Sequence, residues 1–359
     1  MKRLCEKPMK AVVIGDLMIS LDTMEDAIKK SKLQIKEIKK IFWGPENTDE
    51  FAKQQLKIER QGPDAIEYPK ELDEFLEDAD VIMTHFCPIS EKVIQKAKNL
   101  KVIFVSRGGT ENICIEAATK RNIPVVNVIR NAKPVADFAL GMILSLTRNI
   151  SQSFYEIKQG IWEKNFFNSE YVRNLDAQKV GLVGFGNVGS ELAKRLLALE
   201  VPVIVYDEYI KKEELQKAFP KIKIVDNLDE LLKESDIVSI HLRLTDQTKG
   251  MINQEFFRKM KKEAYFINTA RGGLVNEENL ILALQEGEIL GAALDVYDKE
   301  PLSKDSPLLQ MSNVLLTPHI AGTTVDAISK SPYMLMKEFD RMIEDKRYTR
   351  IVNLKSINF

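Results

Sequence analysis

The sequence predicts an α/β protein of two doubly wound parallel-sheet domains, and three observations carry this. Short apolar runs alternate with charge-rich, helix-forming stretches along most of the 359 residues. Such alternation means parallel sheets with helices on both faces. The stretch VGLVGFGNVGSELAKRLLALEVPVIVYDEY, Val180 to Tyr209, holds a strand, a glycine turn, a helix, a second strand and a terminal acid. A long apolar helix, Lys133 to Ile150, bridges the region before that unit to the unit itself.

The bulk properties agree. At 41.0 kDa the chain has room for two domains, and 44% apolar residues supply real cores. Fifty-two basic side chains against 53 acidic ones imply no nucleic-acid or anionic-membrane partner. Cys5, Cys87 and Cys114 form no metal or disulfide pattern. A reduced, cytoplasmic setting is expected. The opening MKRLCEKPMK lacks the apolar run of a signal peptide. No apolar segment approaches the length that crosses a bilayer.

In the first third, AVVIGD (Ala11 to Asp16) is a buried-strand run, a lysine-rich helix follows around Met24 to Ser31, and Ile38 to Trp43 is the next strand. Gly44-Pro45 and Gly62-Pro63 punctuate loops. Asp80 to Phe86 and Lys101 to Gly109 are strand-then-loop units, and Val125 to Val128 closes the series. Ligands of such sheets sit beyond the carboxyl ends of the strands. His85 stands at one such end and Arg107-Gly108-Gly109 at another. The two glycines could turn backbone N–H groups toward an anion, and Arg107 beside them marks the loop as substrate-binding. His85 reads equally as a substrate contact or as a surface histidine.

The bridging helix accepts Pro134 in its first turn. It is apolar nearly all round, which predicts burial. Its residues Pro134 to Arg148 are also expected to form the self-complementary interface of a homodimer. Gln152 to Asn174 is aromatic-rich and reads as an irregular connection or arm.

In the organising unit, Gly184, Gly186 and Gly189 make G-x-G-x-x-G between a strand and a helix, with Asp207 ending the next strand. Gly184 permits the tight turn, Gly186 leaves room for a pyrophosphate, and Gly189 lets the helix approach the sheet. The helix start, with Asn187 and Val188, offers backbone N–H groups to the phosphates. Asp207 would accept hydrogen bonds from ribose hydroxyls and repel a 2′-phosphate, favouring NAD over NADP. Lys211 and Lys212, close in sequence, are the residues that could instead hold such a phosphate.

Four more strands follow. Asp236 to Thr245 has a polar exit, Ala264 to Gly273 delivers Ala270 and Arg271, Gly291 to Pro301 delivers Asp295 and Glu300, and Asn313 to Gly322 ends on His319. These ends and the glycine turn share one rim, where Thr245, Ala270, Asp295 and His319 are expected to line the cofactor site. A nicotinamide cofactor moves a hydride to or from carbon, and a ketone oxygen then needs a proton, which histidine can supply near neutral pH. A carboxylate beside the histidine would hold the ring and favour its charged form. Arginine binds a carboxylate bidentately. A 2-oxo acid reduced to a 2-hydroxy acid fits all three groups.

RGGTENICIEAATKRNIPVVNV, VADFALGMILSLTR, GLVGFGNVG, INTARGGLVNEENL, GAALDVYDKEP and TPHIAG resemble the signatures of the D-isomer-specific 2-hydroxyacid dehydrogenases of the phosphoglycerate dehydrogenase-like type. The resemblance spans most of the chain. It implies a flavodoxin-like substrate domain, residues 1–130 and 324–359, and a Rossmann NAD-binding domain, residues 131–323. The returning helix, Thr324 to Glu344, would pack on the first domain, with the active site in the cleft between the two. The resemblance makes His319 the acid/base, Glu300 its partner and Arg271 the carboxylate binder. It places Gly108 and Gly109 at the substrate, and Asp295 beside the nicotinamide carboxamide. Arg243 replaces a common proline, Asp137 a common glutamate, and Ser106-Arg107-Gly108-Gly109 departs from the usual Gly-x-Gly loop. Family members with formate dehydrogenase activity pair the histidine with glutamine, so Glu300 argues against formate. An NAD-sensing corepressor on the same fold is the alternative function.

Overall fold

A computed structural model describes residues 2–357. Its backbone falls into two units. One runs to Arg130 and resumes at Thr324; the other is Asn131–Thr323.

The first unit is built on β1 (Met9–Gly15), β2 (Ile35–Phe42), β3 (Val81–Thr84), β4 (Val102–Val105) and β5 (Val125–Asn127). All pairings are parallel, in the order β2-β1-β3-β4-β5, the doubly wound flavodoxin-like order. Side chains alternate between the two faces of a strand, and the cores follow. Val12, Ile14, Ile82, Ile103 and Val105 join Trp43 and Phe51 on one face. Val13, Met83 and Phe104 join Met336 and Phe339 on the other. Each such buried aliphatic or aromatic side chain contributes roughly 1.5–3 kcal/mol. β2 lies at the sheet edge, and its lysines and Glu37 keep that edge wet.

The helix Thr48–Gln61 lies between the two Gly-Pro loops. Asn47 caps it, accepting from the N–H groups of Asp49 and Glu50, and only its Phe51 and Ile58 are buried. Such sparse apolar content hides it from a periodicity reading. The chain returns through the helices Val325–Ser329 and Ser331–Asp345, where the sequence suggests one continuous helix. Phe339 meets Phe104 edge-on at 5.1 Å. The tail beyond then lies along β5: Val352 N–H donates to the Val125 carbonyl at 2.8 Å and Asn127 N–H to that of Arg350 at 3.1 Å.

The second unit holds β6 (Val180–Val183), β7 (Val203–Tyr206), β8 (Lys223–Ile224), β9 (Ile237–Ile240), β10 (Tyr265–Asn268), β11 (Gly291–Leu294) and β12 (Val314–Leu316). The order β12-β11-β10-β9-β6-β7-β8 is the Rossmann arrangement, with its switch point between β6 and β9. β8, two residues long, is too short to leave a pattern in the sequence.

The bridging helix spans Ala132–Thr147. Its Ala136, Ala139, Met142, Ile143 and Leu146 are buried with Leu182, Leu192 and Val205 of its own unit. Asn149, at φ 56°, ends it, and a further helix, Ile150–Lys158, occupies ground that the sequence reading left irregular.

Candidate active site

The glycine turn is shaped by close approaches that only glycine allows. Gly184 has φ +94°, and a Cβ there would stand 2.7 Å from the carbonyl oxygen of His241. A Cβ on Gly189 would collide with the Gly184 carbonyl, while above Gly186 there is open space. Gly186 is the N-cap of the helix Asn187–Ala198, and no side chain caps that end. An uncapped helix start beneath open space suits a pyrophosphate. Asp207 is fixed next to this turn, its Oδ2 accepting the Phe185 N–H at 2.7 Å and its Oδ1 the Tyr209 N–H at 2.9 Å. Lys211 pairs with Glu214 at 3.0 Å, and Lys212 pairs with Asp226. We expect NADH to be preferred over NADPH by about 100-fold in kcat/KM, the scale of a like-charge clash at a partly buried site. Asp207→Ser should bring the ratio down, which steady-state rates with both cofactors will measure.

The loop after β9 supports the turn. Leu242 packs on Gly184 and Leu244 on Gly273. Thr245 closes the loop by exchanging hydrogen bonds with Thr248. His241, which the sequence reading passed over, donates to or accepts from the Ser239 hydroxyl through Nε2 at 3.0 Å. Burial takes this imidazole down from 6.5 to about 4. A histidine lowered on folding binds its proton more readily in the unfolded chain, so stability is full above about pH 6.5 and falls toward pH 4. Burial lowers His85 too. Denaturant titrations should show about 2 kcal/mol less stability at about pH 5 than at about pH 7 from His241 alone, and His241→Asn should flatten that slope.

At the other strand ends three loops are locked to one another. Asn268 at the end of β10 turns the chain, its Oδ1 accepting from Ala270 N–H and its amide donating to the Arg271 carbonyl, both at 3.0 Å. Gly272 then lies flat on the Tyr297–Asp298 peptide, where any Cβ would collide. Arg271 is exposed, donating to the Ala270 carbonyl at 2.6 Å. From the β11 loop, Glu300 places Oε1 on the Tyr297 N–H at 3.1 Å and Oε2 2.7 Å from His319 Nδ1. The carboxylate thus holds the inner ring nitrogen, and Nε2 is the nitrogen left for a reacting atom. His319 sits at φ 54°, a left-handed conformation that costs a non-glycine residue of order 1–3 kcal/mol and persists where the surroundings impose it.

Asp295 imposes it. The resemblance puts this residue beside a nicotinamide carboxamide; within the structure its contacts are to the loop that carries His319. Asp295 is fully buried. Its Oδ1 accepts from the Thr317 hydroxyl at 2.6 Å and from Ile320 N–H at 3.0 Å, and its Oδ2 accepts from Ala321 N–H at 2.9 Å. It holds the Thr317 hydroxyl before His319 and two backbone N–H groups after it, and so positions the loop.

His85, Arg107, Gly108 and Gly109 belong to the first unit. His85 is no surface histidine: it is wholly buried, with Nδ1 2.8 Å from Asp16 Oδ2. Arg107 is buried as well, its guanidinium 3.8 Å above the Phe86 ring and ion-paired to Glu59 and Glu111.

The uncapped glycine turn at the switch point, with an acid ending the next strand, defines a dinucleotide-binding Rossmann protein. Residues 140–321 match the family model described as D-isomer specific 2-hydroxyacid dehydrogenase, NAD binding domain. The chain belongs to the D-isomer specific 2-hydroxyacid dehydrogenase family, and its cofactor is NAD. It is 40% identical to the glyoxylate reductase of Thermofilum pendens over 270 residues, 74% of this chain and 78% of that protein. It is also 40% identical to the D-3-phosphoglycerate dehydrogenase of Archaeoglobus fulgidus over 270 residues, 75% of this chain and 50% of that one. The chain spans about half the length of the phosphoglycerate dehydrogenases it matches. The NAD-complexed D-isomer specific 2-hydroxyacid dehydrogenase of Lactobacillus delbrueckii ssp. bulgaricus shares 26% identity and a TM-score of 0.70, over 96% of this chain and all of that one.

Proposed function

We propose that this chain is an NAD-dependent D-2-hydroxyacid dehydrogenase, interconverting a 2-oxo acid and its 2-hydroxy acid. The observation that carries the reading is the His319–Glu300 pair at 2.7 Å on the rim that also presents Arg271. When bound, NAD supplies the hydride acceptor or donor. Arg271 binds the substrate carboxylate through its planar fork. Gly108 and Gly109 are assigned to the substrate by the resemblance, through their backbone N–H groups. His319 gives a proton from Nε2 to the carbonyl oxygen during reduction and takes it back during oxidation. Glu300 fixes the ring and stabilises the imidazolium, and Asp295 fixes the loop. NADH oxidation with a panel of short 2-oxo acids tests this reading: turnover of at least one supports it. Tight NADH binding without turnover of any would favour a sensor on the same fold.

We also infer a homodimer in a cytoplasmic setting. Support for the setting is three free thiols and the lack, among the described residues, of any helix long and apolar enough to cross a membrane. The surface that supports the dimer is more than the helix Ala132–Thr147, whose apolar residues pack within its own unit and whose Asp137 and Gly141 are exposed, as is Arg148 just after it. Beyond it, Ile150, Phe154, Tyr155, Ile161 and Trp162 stand out from the helix Ile150–Lys158 and the following arm, Trp162 at 79% exposure. A cluster of this kind marks an interface, and a second copy of the same arm is its simplest partner. The double variant Phe154→Ala/Trp162→Ala should sediment as a monomer where the parent sediments as a dimer. A monomeric parent at micromolar concentration would sink the assembly.

A further inference from the structure

We propose that Tyr297 is a positioning residue for the proton transfer, its hydroxyl holding the turn that carries His319 while its backbone holds Glu300 and the Arg271 loop. The inference rests on the dehydrogenase reading above, with His319 as the proton donor.

Tyr297 lies in the loop after β11, ahead of Glu300, and all the reacting groups lean on it. Its N–H donates to Glu300 Oε1 at 3.1 Å, and the other oxygen of that carboxylate lies 2.7 Å from His319 Nδ1. The peptide that follows Tyr297 is the surface on which Gly272 rests: a Cβ on Gly272 would collide with the Tyr297 carbonyl. The loop bearing Arg271 therefore packs backbone to backbone against it. The Tyr297 hydroxyl reaches the third group. It donates to the Thr317 carbonyl at 2.9 Å, with the Leu294 carbonyl, at 3.1 Å, as its alternative acceptor. Thr317 opens the turn Thr317-Pro318-His319, and its carbonyl also accepts the His319 N–H at 3.1 Å.

Packing alone does not call for this hydroxyl. Tyr297 is 8% exposed and joins the apolar core of its unit, a role that a phenylalanine ring would fill. Neither carbonyl depends on the hydroxyl for a partner, since Leu294 also accepts the Thr317 N–H at 3.0 Å. What the hydroxyl adds is a fixed direction for the Thr317 carbonyl. His319 sits at φ 54°, a conformation that a histidine keeps only where its surroundings impose it. Asp295 holds the Thr317 side chain and the N–H groups of Ile320 and Ala321. Tyr297 holds the main chain just before His319, which those bonds do not reach. Burial, the largest influence on the phenol, pushes it up to about 12, so it stays a donor throughout the neutral range. A reacting group misplaced by about 1 Å can lose about 100-fold in rate. One hydrogen bond among several loosens the turn without displacing it, so a loss of about 10-fold is expected.

The test is Tyr297→Phe, alone and combined with His319→Ala or Arg271→Ala, in NADH-dependent reduction of glyoxylate, pyruvate and hydroxypyruvate. Alone, it should lower kcat by about 10-fold on the best of these, with NADH affinity by fluorescence unchanged and melting within a few degrees of the parent. In the His319→Ala background it should cost nothing further, because the group it positions is gone. In the Arg271→Ala background the loss of about 10-fold should persist in full, since sites that act independently multiply in rate. A purely structural hydroxyl would lower all three backgrounds alike. Parental kcat in folded Tyr297→Phe, or an equal loss with and without His319, overturns the inference and leaves the dehydrogenase intact. So does a Tyr297→Phe that fails to fold or to bind NADH, which would assign the hydroxyl to stability. No turnover of any of the three acids by the parent overturns the dehydrogenase reading and this inference with it.

Discussion

His319→Ala should lose roughly 10²–10⁴-fold in kcat/KM for reduction, the range typical of a positioned general acid. The loss should fall mainly on kcat, because the ring acts on the carbonyl oxygen and not on the substrate carboxylate. The side chain is half exposed and its described partner is Glu300, so the variant should fold and still bind NADH. Fluorescence titration of NADH with parent and variant would verify that. Glu300→Gln keeps a hydrogen-bond acceptor for Nδ1 but removes the charge, and we expect a smaller loss, about 10-fold. Unimpaired reduction by His319→Ala would remove the proton transfer from this residue.

Arg271→Ala should cost about 2–5 kcal/mol of transition-state binding, the usual effect of deleting one partner of a close charge pair. This corresponds to roughly 30-fold to several thousand-fold in kcat/KM. Arg271→Lys should recover part of this, since it keeps the charge but not the planar fork. The split between the two is informative: a carboxylate binder shows mostly as raised KM, whereas polarisation of the carbonyl shows as lowered kcat. Arg271 bonds only to the neighbouring Ala270 carbonyl through the described side-chain hydrogen bond, so stability should stay near that of the parent. Equal kinetics in Arg271→Ala would place the substrate carboxylate elsewhere.

Much of this was legible in the sequence. Strands β6 and β7 coincide with the apolar runs Val180–Val183 and Val203–Tyr206, because strands buried on both faces are unbroken runs of β-formers. The glycine turn was equally readable, since Gly184 and Gly189 meet atoms that a Cβ would displace. Arg271, Glu300 and His319 could be named because each follows a strand end, and parallel topology sends such ends to one rim. Less legible were elements with weak local patterns: the helix Thr48–Gln61, the two-residue β8, and the helix Ile150–Lys158, which has no buried residue.

The sequence by itself determined the two sheets, the dinucleotide turn and which candidate groups follow the strand ends, because these follow from local period and from residue type. Only the tertiary structure decided what each polar group meets. Asp295 reads from the sequence as an acid near a strand end, and folding buries it against the His319 loop, where it accepts from Ile320 N–H, 25 residues downstream. His85 was ambiguous until Asp16, 69 positions away, closed over it. Arg107 marks its loop in the sequence, but only folding pairs it with Glu59, 48 positions away. The free energy of a charge depends on its neighbours in space, and folding chooses those neighbours from parts of the chain that no local window contains.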